Sequence, residues 1–144
     1  MTHSQTQPRH PRTLALDPGE ARIGVAVSDE LGMFAHPRAA ISGKDRPAAI
    51  EQLRRFVVAE GIGEVLVGLP LTLEGARGPQ AGAVGAFVEA LRAALDVPVR
   101  QVDERLTSAE ASRLAPGAAR KRDGTLDSLA AAVLLQSVLD GRRP

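Results

Sequence analysis

Three acidic residues stand where apolar segments of the chain begin or stop. Asp17 follows Thr13-Leu-Ala-Leu, Glu104 follows Val99-Arg-Gln-Val-Asp103, and Asp127 lies in Thr125-Leu-Asp-Ser-Leu-Ala-Ala. A carboxylate beside a core is costly unless something compensates it, and clustered carboxylates are commonly compensated by a metal ion. Drawn from distant parts of the sequence, three such acids suit a divalent-metal site for phosphodiester cleavage. That reaction needs a nucleophilic water, stabilised charge around phosphorus and a stabilised leaving oxygen. Two Mg²⁺ or Mn²⁺ ions about 4 Å apart can supply all three. Hard cations of this kind take oxygen ligands. The chain has no cysteine and three histidines. His3 and His10 lie in the polar opening segment, and His36 is read as a strand-end residue rather than a ligand.

Each acid also has an ordinary explanation. Asp17-Pro-Gly is a common turn in which Asp bonds its own backbone. Asp103 and Glu104 form a strand end that can pair with Arg105, and adjacent strand residues face opposite ways, so only one of them can face a shared site. Asp127 near a helix start gains about 0.3–1 kcal/mol from the macrodipole. Singly, none of the three demands catalysis.

The elements that must position them follow from the apolar pattern. Thr13–Asp17 is a strand stopped by Pro18-Gly19, and Arg22–Ser28 follows at a distance that forces an antiparallel pair. Met33–Ile41 offers a third strand, shortened or bent at Pro37. Arg46–Glu60 carries Ile50, Leu53, Phe56 and Val57 at helical spacing, with Pro47 in its first turn and Gly61 after it. Glu64–Leu69 is a continuous apolar run, as in a strand covered on both faces. A glycine-bearing loop over 70–78 leads to a helix over Pro79–Leu95, then a strand over Val97–Glu104. Thr107 starts a short helix with Glu110 in capping-box position, a basic loop follows, and Leu126–Asp140 is the last helix, closed by Gly141.

The order β-β-β-α-β-α-β-α-α predicts an α/β fold: a five-stranded mixed sheet, three antiparallel strands then two parallel, with helices on both faces. Residues 1–12 read as a flexible polar tail and 13–141 as one domain. Active groups of such sheets gather beyond the carboxyl ends of the parallel strands. Asp17 and Glu104 fall at such ends, and Asp127 falls in the first turn of a helix that can pack across them.

Composition bounds the partners. The 144 residues are 44% hydrophobic and 24% charged, with no Trp, no Tyr and three Phe. Aromatic platforms for base stacking are therefore lacking, and contact with nucleic acid would run through backbone charge and shape. Net charge is +1, which does not announce a nucleic-acid binder, but neutralising the three acids would leave the chain distinctly basic. Arg120-Lys121-Arg122 forms a local basic cluster. No apolar run approaches the about 20 residues of a membrane span. Without cysteine or a signal-peptide core, a cytoplasmic location is the expectation.

Together the motifs are more specific than their parts. Leu14-Ala-Leu-Asp17-Pro-Gly19 with Arg22-Ile-Gly-Val-Ala-Val27, Val67-Gly-Leu-Pro70, Asp103-Glu104-Arg105-Leu-Thr107-Ser-Ala-Glu110-Ala and Asp127-Ser128-Leu-Ala-Ala resemble, in order, the YqgF/RuvX family. The resemblance covers about 13–140. It implies a ribonuclease H-like fold related to the RuvC-type Holliday junction resolvases and a metal-dependent endonuclease whose Asp, Glu, Asp set falls on Asp17, Glu104 and Asp127. It implies 5′-end maturation of pre-16S rRNA, or resolution of branched DNA, for which a homodimer is expected. The substrate is then structured RNA or branched DNA, and Gly19, Arg22, Arg77, Arg105, Arg120, Lys121 and Arg122 are its candidate contacts. The chain departs from the family pattern in two places. Glu20-Ala21 stands where many members carry Thr-Lys, and Asp123 and Thr125 stand where members often carry lysines.

Two rival readings remain. An Asp-x-Gly turn between strands also opens phosphotransferases of the actin and hexokinase type, but those close two domains on a nucleotide and this length supplies one. The other rival is a nucleic-acid or ribosome-associated module that keeps the fold without cleavage.

Overall fold

The segment Leu14-Ala15-Leu16-Asp17 alternates large apolar side chains with small or acidic ones, so a strand there has one bulky face and one shallow face. The computed structural model describes residues 11–19, 21–69, 79–103 and 125–142. Its strands are β1 (Thr13–Pro18), β2 (Arg22–Ser28), β3 (Ala35–Ser42), β4 (Glu64–Leu69) and β5 (Val99–Asp103). Its helices are α1 (Arg46–Glu60), α2 (Pro79–Ala94) and α3 (Thr125–Arg142). The loop over 70–78 and the short helix expected from Thr107 lie outside the described residues.

The sheet order is β3-β2-β1-β4-β5. β1 pairs antiparallel with β2, and β2 with β3, whereas β4 runs parallel to β1 and to β5. The expected mixed sheet is therefore present, with helices on both faces. On the bulky face, Leu14, Leu16, Val25, Val27, Val65 and Val67 pack against α1 and α2. α1 presents Ala49, Leu53 and Val57 to this layer, one residue per turn. On the shallow face, Ala15, Ala26 and Leu66 meet Ala131, Leu135 and Leu139 of α3. Small sheet residues let a helix approach closely, so this face brings the first turn of α3 down toward the sheet.

Element ends differ from expectation for identifiable reasons. β3 starts at Ala35 because the preceding residues are spent on a turn. There the Asp29 carboxylate accepts the Met33 N–H (2.9 Å), and the Phe34 carbonyl accepts the Asp29 N–H (3.0 Å). β5 starts at Val99, after the Pro98 carbonyl accepts the Val65 N–H (2.9 Å). α1 begins where expected, its N-cap Asp45 accepting the Ala48 N–H at 3.1 Å. It ends at Gly61, whose φ of 65° is a conformation glycine adopts at no steric cost.

α3 runs through Gly141 to Arg142 instead of stopping at Asp140. An ion cluster holds that last turn. Arg142 donates to Glu64 at 2.7 and 3.0 Å, while Arg100 (3.3 Å) and the Thr13 hydroxyl (3.1 Å) donate to the same carboxylate. Burial tends to raise the Glu64 pKa, but the Arg142 hydrogen bond and charge, helped by Thr13 and Arg100, outweigh it. The carboxyl lies below its ordinary value. A second clamp joins Arg12 to the Glu60 carbonyl (2.6 Å), the Glu60 carboxylate (3.0 Å) and the Ser28 carbonyl (3.1 Å). Both clamps sit at the end of β1 remote from Asp17. Among the described residues no helix is long and apolar enough to cross a membrane.

Candidate active site at the carboxyl end of β1

Asp17 shares its face of β1 with Thr13 and Ala15, and it is 9% exposed. It therefore points to the shallow side, under α3. Across the sheet its antiparallel partner is Gly24. On the other side, Leu16 pairs with Val67, so the next position along β4 is Gly68. Both strand neighbours of this carboxylate thus lack side chains. Glycine inside a strand weakens it and often marks close approach of a ligand or another backbone. Neither Gly24 nor Gly68 stands out as a site residue when each strand is read alone. The signal was a glycine interrupting each of two otherwise apolar runs, RIGVAV and EVLVGL.

The turn after Asp17 is tight. The Gly19 N–H bonds the Arg22 carbonyl at 2.8 Å, and a Cβ at Gly19 would stand 2.9 Å from that oxygen, so another residue there must displace backbone. Arg22, half-buried, begins β2 on the same face as Asp17, two positions from Gly24. That diagonal separation is about 7–8 Å between backbones, within reach of a long side chain.

α3 is fastened over this site by Ser128. Its hydroxyl oxygen accepts the backbone N–H of Val25 at 3.2 Å, beside Gly24. Ser128 thus ties the helix to the sheet. The bond is possible because Gly24 lies opposite a register shift between β2 and β3, where Ile23 faces Ile41 but Val25 faces Arg38. Two residues of β3, Ala39 and Ala40, thus oppose Gly24 alone, which is a β-bulge. The Asp127 backbone is the third residue of α3, immediately before Ser128.

The remaining candidates divide plainly. Glu104, Arg77, Arg105, Arg120, Lys121 and Arg122 lie outside the described residues. Asp103 is the last residue of β5. His36 is the second residue of the exposed edge strand β3, at a strand end as expected. Among the described residues no three acidic or histidine side chains come together as a metal cluster. The donor chemistry at Asp17 nevertheless fits a hard divalent cation. It is a buried carboxylate whose two strand neighbours carry no side chain, in a chain without thiols.

A 3-2-1-4-5 sheet whose first three strands are antiparallel, with an acid at the carboxyl end of the first strand, defines the ribonuclease H-like class. Solved structures agree on this fold. Thermus thermophilus RuvC in complex with a Holliday junction substrate superposes with a TM-score of 0.57 at 18% identity, over 92% of this chain and 96% of that one. The fowlpox virus resolvase in complex with Holliday junction DNA gives 0.52 at 11% identity, over 90% and 97%. Two relatives are named as candidate pre-16S rRNA nucleases. The one from Chloroflexus aggregans is 44% identical over 133 residues, covering 90% of this chain and 94% of its own. The one from Streptomyces coelicolor is 42% identical over 139 residues, covering 94% and 83%. The family model described as RuvX, Holliday junction resolvase, matches residues 11–141. The chain belongs to the RuvX family, a family of nucleases.

Proposed function

We propose that this chain is a divalent-metal-dependent endonuclease that hydrolyses phosphodiester bonds in structured nucleic acid, with 5′-end processing of pre-16S rRNA as its substrate reaction. One observation carries the reading. Asp17 is buried at the carboxyl end of β1 between two glycine positions, beneath the first turn of the helix that bears Asp127. The third acid is Glu104. Val102 of β5 lies on the shallow face with α3, which supports Glu104 over Asp103 as the partner of Asp17 if the alternation of the sequence carries on by one residue. Asp17, Glu104 and Asp127 would hold Mg²⁺ or Mn²⁺. When bound, a metal pair supplies the activated water and the charge that stabilises the leaving oxygen. The chain's own part is to fix carboxylate oxygens and to keep side chains away from them at Gly24 and Gly68.

Resolution of branched DNA is the second reading, favoured by the family description and by the junction-bound resolvases that share the fold. It carries an added requirement, since two strands must be cut on one junction and two sites must face each other in a symmetric homodimer. The test is cleavage of structured precursor RNA and of four-way DNA junctions with Mn²⁺ or Mg²⁺, comparing wild type with Asp17→Asn. Loss of at least about 100-fold in rate is expected for the variant. Equal cleavage by both proteins sinks the catalytic assignment and leaves the non-cleaving module in its place. Preference for RNA over the junction supports rRNA processing, and the reverse preference with a dimer in solution supports resolution.

A further inference from the structure

The β-bulge has an effect beyond admitting Ser128. Before it, β2 and β3 pair so that Val25 faces Arg38; after it, Arg22 faces Ser42 and Ile23 faces Ile41. Carried on without the bulge, the earlier register would set Ile41 opposite Arg22. The extra residue therefore replaces an apolar side chain with a hydroxyl beside Arg22, on the face that carries Asp17. Bulges of this kind re-aim side chains next to active sites.

The result is a recess of about 250 Å³ lined by Ala21, Arg22, Ala40, Ile41, Ser42 and Lys44. Its two walls are joined by the Gly43 N–H, which bonds the Ala21 carbonyl at 2.9 Å. Gly43 also packs close to the Gly19 carbonyl, where an added Cβ would be 3.5 Å away. The recess is thus built onto the turn that leaves Asp17. The Ser42 oxygen accepts the Lys44 N–H at 3.3 Å, which leaves the hydroxyl hydrogen to donate outward. Asp45, the neighbouring acid in sequence, turns its carboxylate to the Ala48 N–H at the start of α1.

We propose that this recess is a subsite for one backbone phosphate of the nucleic-acid strand, next to the bond presented at Asp17. Arg22 and Lys44 supply positive charge, and Ser42 supplies a hydrogen-bond donor. The proposal rests on the nuclease reading and adds to it a place where the strand is gripped away from the acids. It also answers a departure from the family pattern: Ala21 stands where many members carry a lysine, and Lys44 brings a cation back to the same turn from β3's far end.

The experiment is equilibrium binding of a structured precursor RNA and of a four-way DNA junction as a function of salt, in a cleavage-silenced Asp17→Asn background. Each phosphate contact contributes about 0.7–0.9 to the slope of log affinity against log salt. Lys44→Ala is expected to lower the slope by about one contact and weaken binding several-fold for every sequence tried, and Lys44→Glu more. Lys44→Arg restores the parent slope. Arg38→Ala is the control. Arg38 lies on the same edge strand, but its charge is held by Glu60 at 2.8 Å, and its loss leaves the slope unchanged. Lys44 is exposed, so these variants keep the fold. An unchanged slope in Lys44→Ala, or an equal loss in Arg38→Ala, overturns the subsite. The nuclease reading fails separately. If the protein with native Asp17 cuts neither substrate while Lys44→Ala still lowers the slope, the phosphate subsite stands and the catalytic assignment falls.

Discussion

Replacing Glu64 with Gln should destabilise the fold by an amount that depends on pH in a set direction. The carboxylate is 11% exposed and accepts from Arg142 at 2.7 and 3.0 Å, from Arg100 at 3.3 Å and from Thr13 at 3.1 Å. Arg142 has little else to turn to, since its Nη1 is buried without a hydrogen-bond partner among the described residues. Removing one member of a buried ion pair costs about 3–5 kcal/mol. Gln keeps one carbonyl acceptor and Arg100 is half exposed, which together bring the expectation to about 2 kcal/mol. In a chain of this size that lowers Tm by about 4–8 °C.

The pH dependence follows from the direction of the Glu64 shift. Its folded pKa lies below the ordinary 4.5. Its stabilisation is therefore complete above that value and is lost as pH falls through the folded pKa. Gln resembles the protonated acid, so the gap between variant and wild type should be full at about pH 7 and should narrow as pH falls through the folded pKa, below the ordinary 4.5. Urea unfolding at both ends of that range measures it. Equal stabilities at neutral pH, or a gap that widens in acid, would refute the reasoning. Because Thr13 and Glu64 sit about 13 Å along the strand from Asp17, cleavage by the variant should match wild type at temperatures where both are folded.

Two further predictions concern the site itself. Ser128→Ala leaves the Val25 N–H unpaired in a buried place, costing about 1–3 kcal/mol by chemical denaturation. Cleavage should fall more than that loss explains, because the first turn of α3 is freed; activity tracking the folded fraction alone would count against the clamp. Gly68→Val places a branched side chain beside Asp17. It should reduce cleavage by about 10-fold or more through misplacement of the phosphate, with a smaller proportional effect on stability, and full activity would show that the missing side chain there is not needed.

Much of the fold was legible because it is local. β2, α1 and β4 occupy the residues that periodicity assigned, since alternation, a Pro near a helix start and a glycine after its end act within a few residues. Asp17 was legible for the same reason, as an acid at the point where an apolar run meets Pro-Gly. What escaped was non-local. The bulge that sets Ser42 beside Arg22 depends on the pairing of two strands and leaves no mark in either one read alone. Glu64 looked like a strand start and Arg142 like a helix tail, yet 78 residues of sequence separate the two ends of that ion pair. Gly141 was expected to stop a helix, and the ion pair beyond it carried the helix on. Asp17 and its glycine flanks come from three strands, and only the sheet order makes them neighbours.

α3 follows every strand of the sheet in the chain, and it alone among the described helices covers Ala15, Ala26 and Leu66. During synthesis the other face can close first, since β1 to β5, α1 and α2 all emerge earlier. Asp17 then lies on an open face, with neither Ser128 nor Asp127 yet available. The shallow face around Asp17 is therefore closed only after the rest of the described sheet and helices has been made.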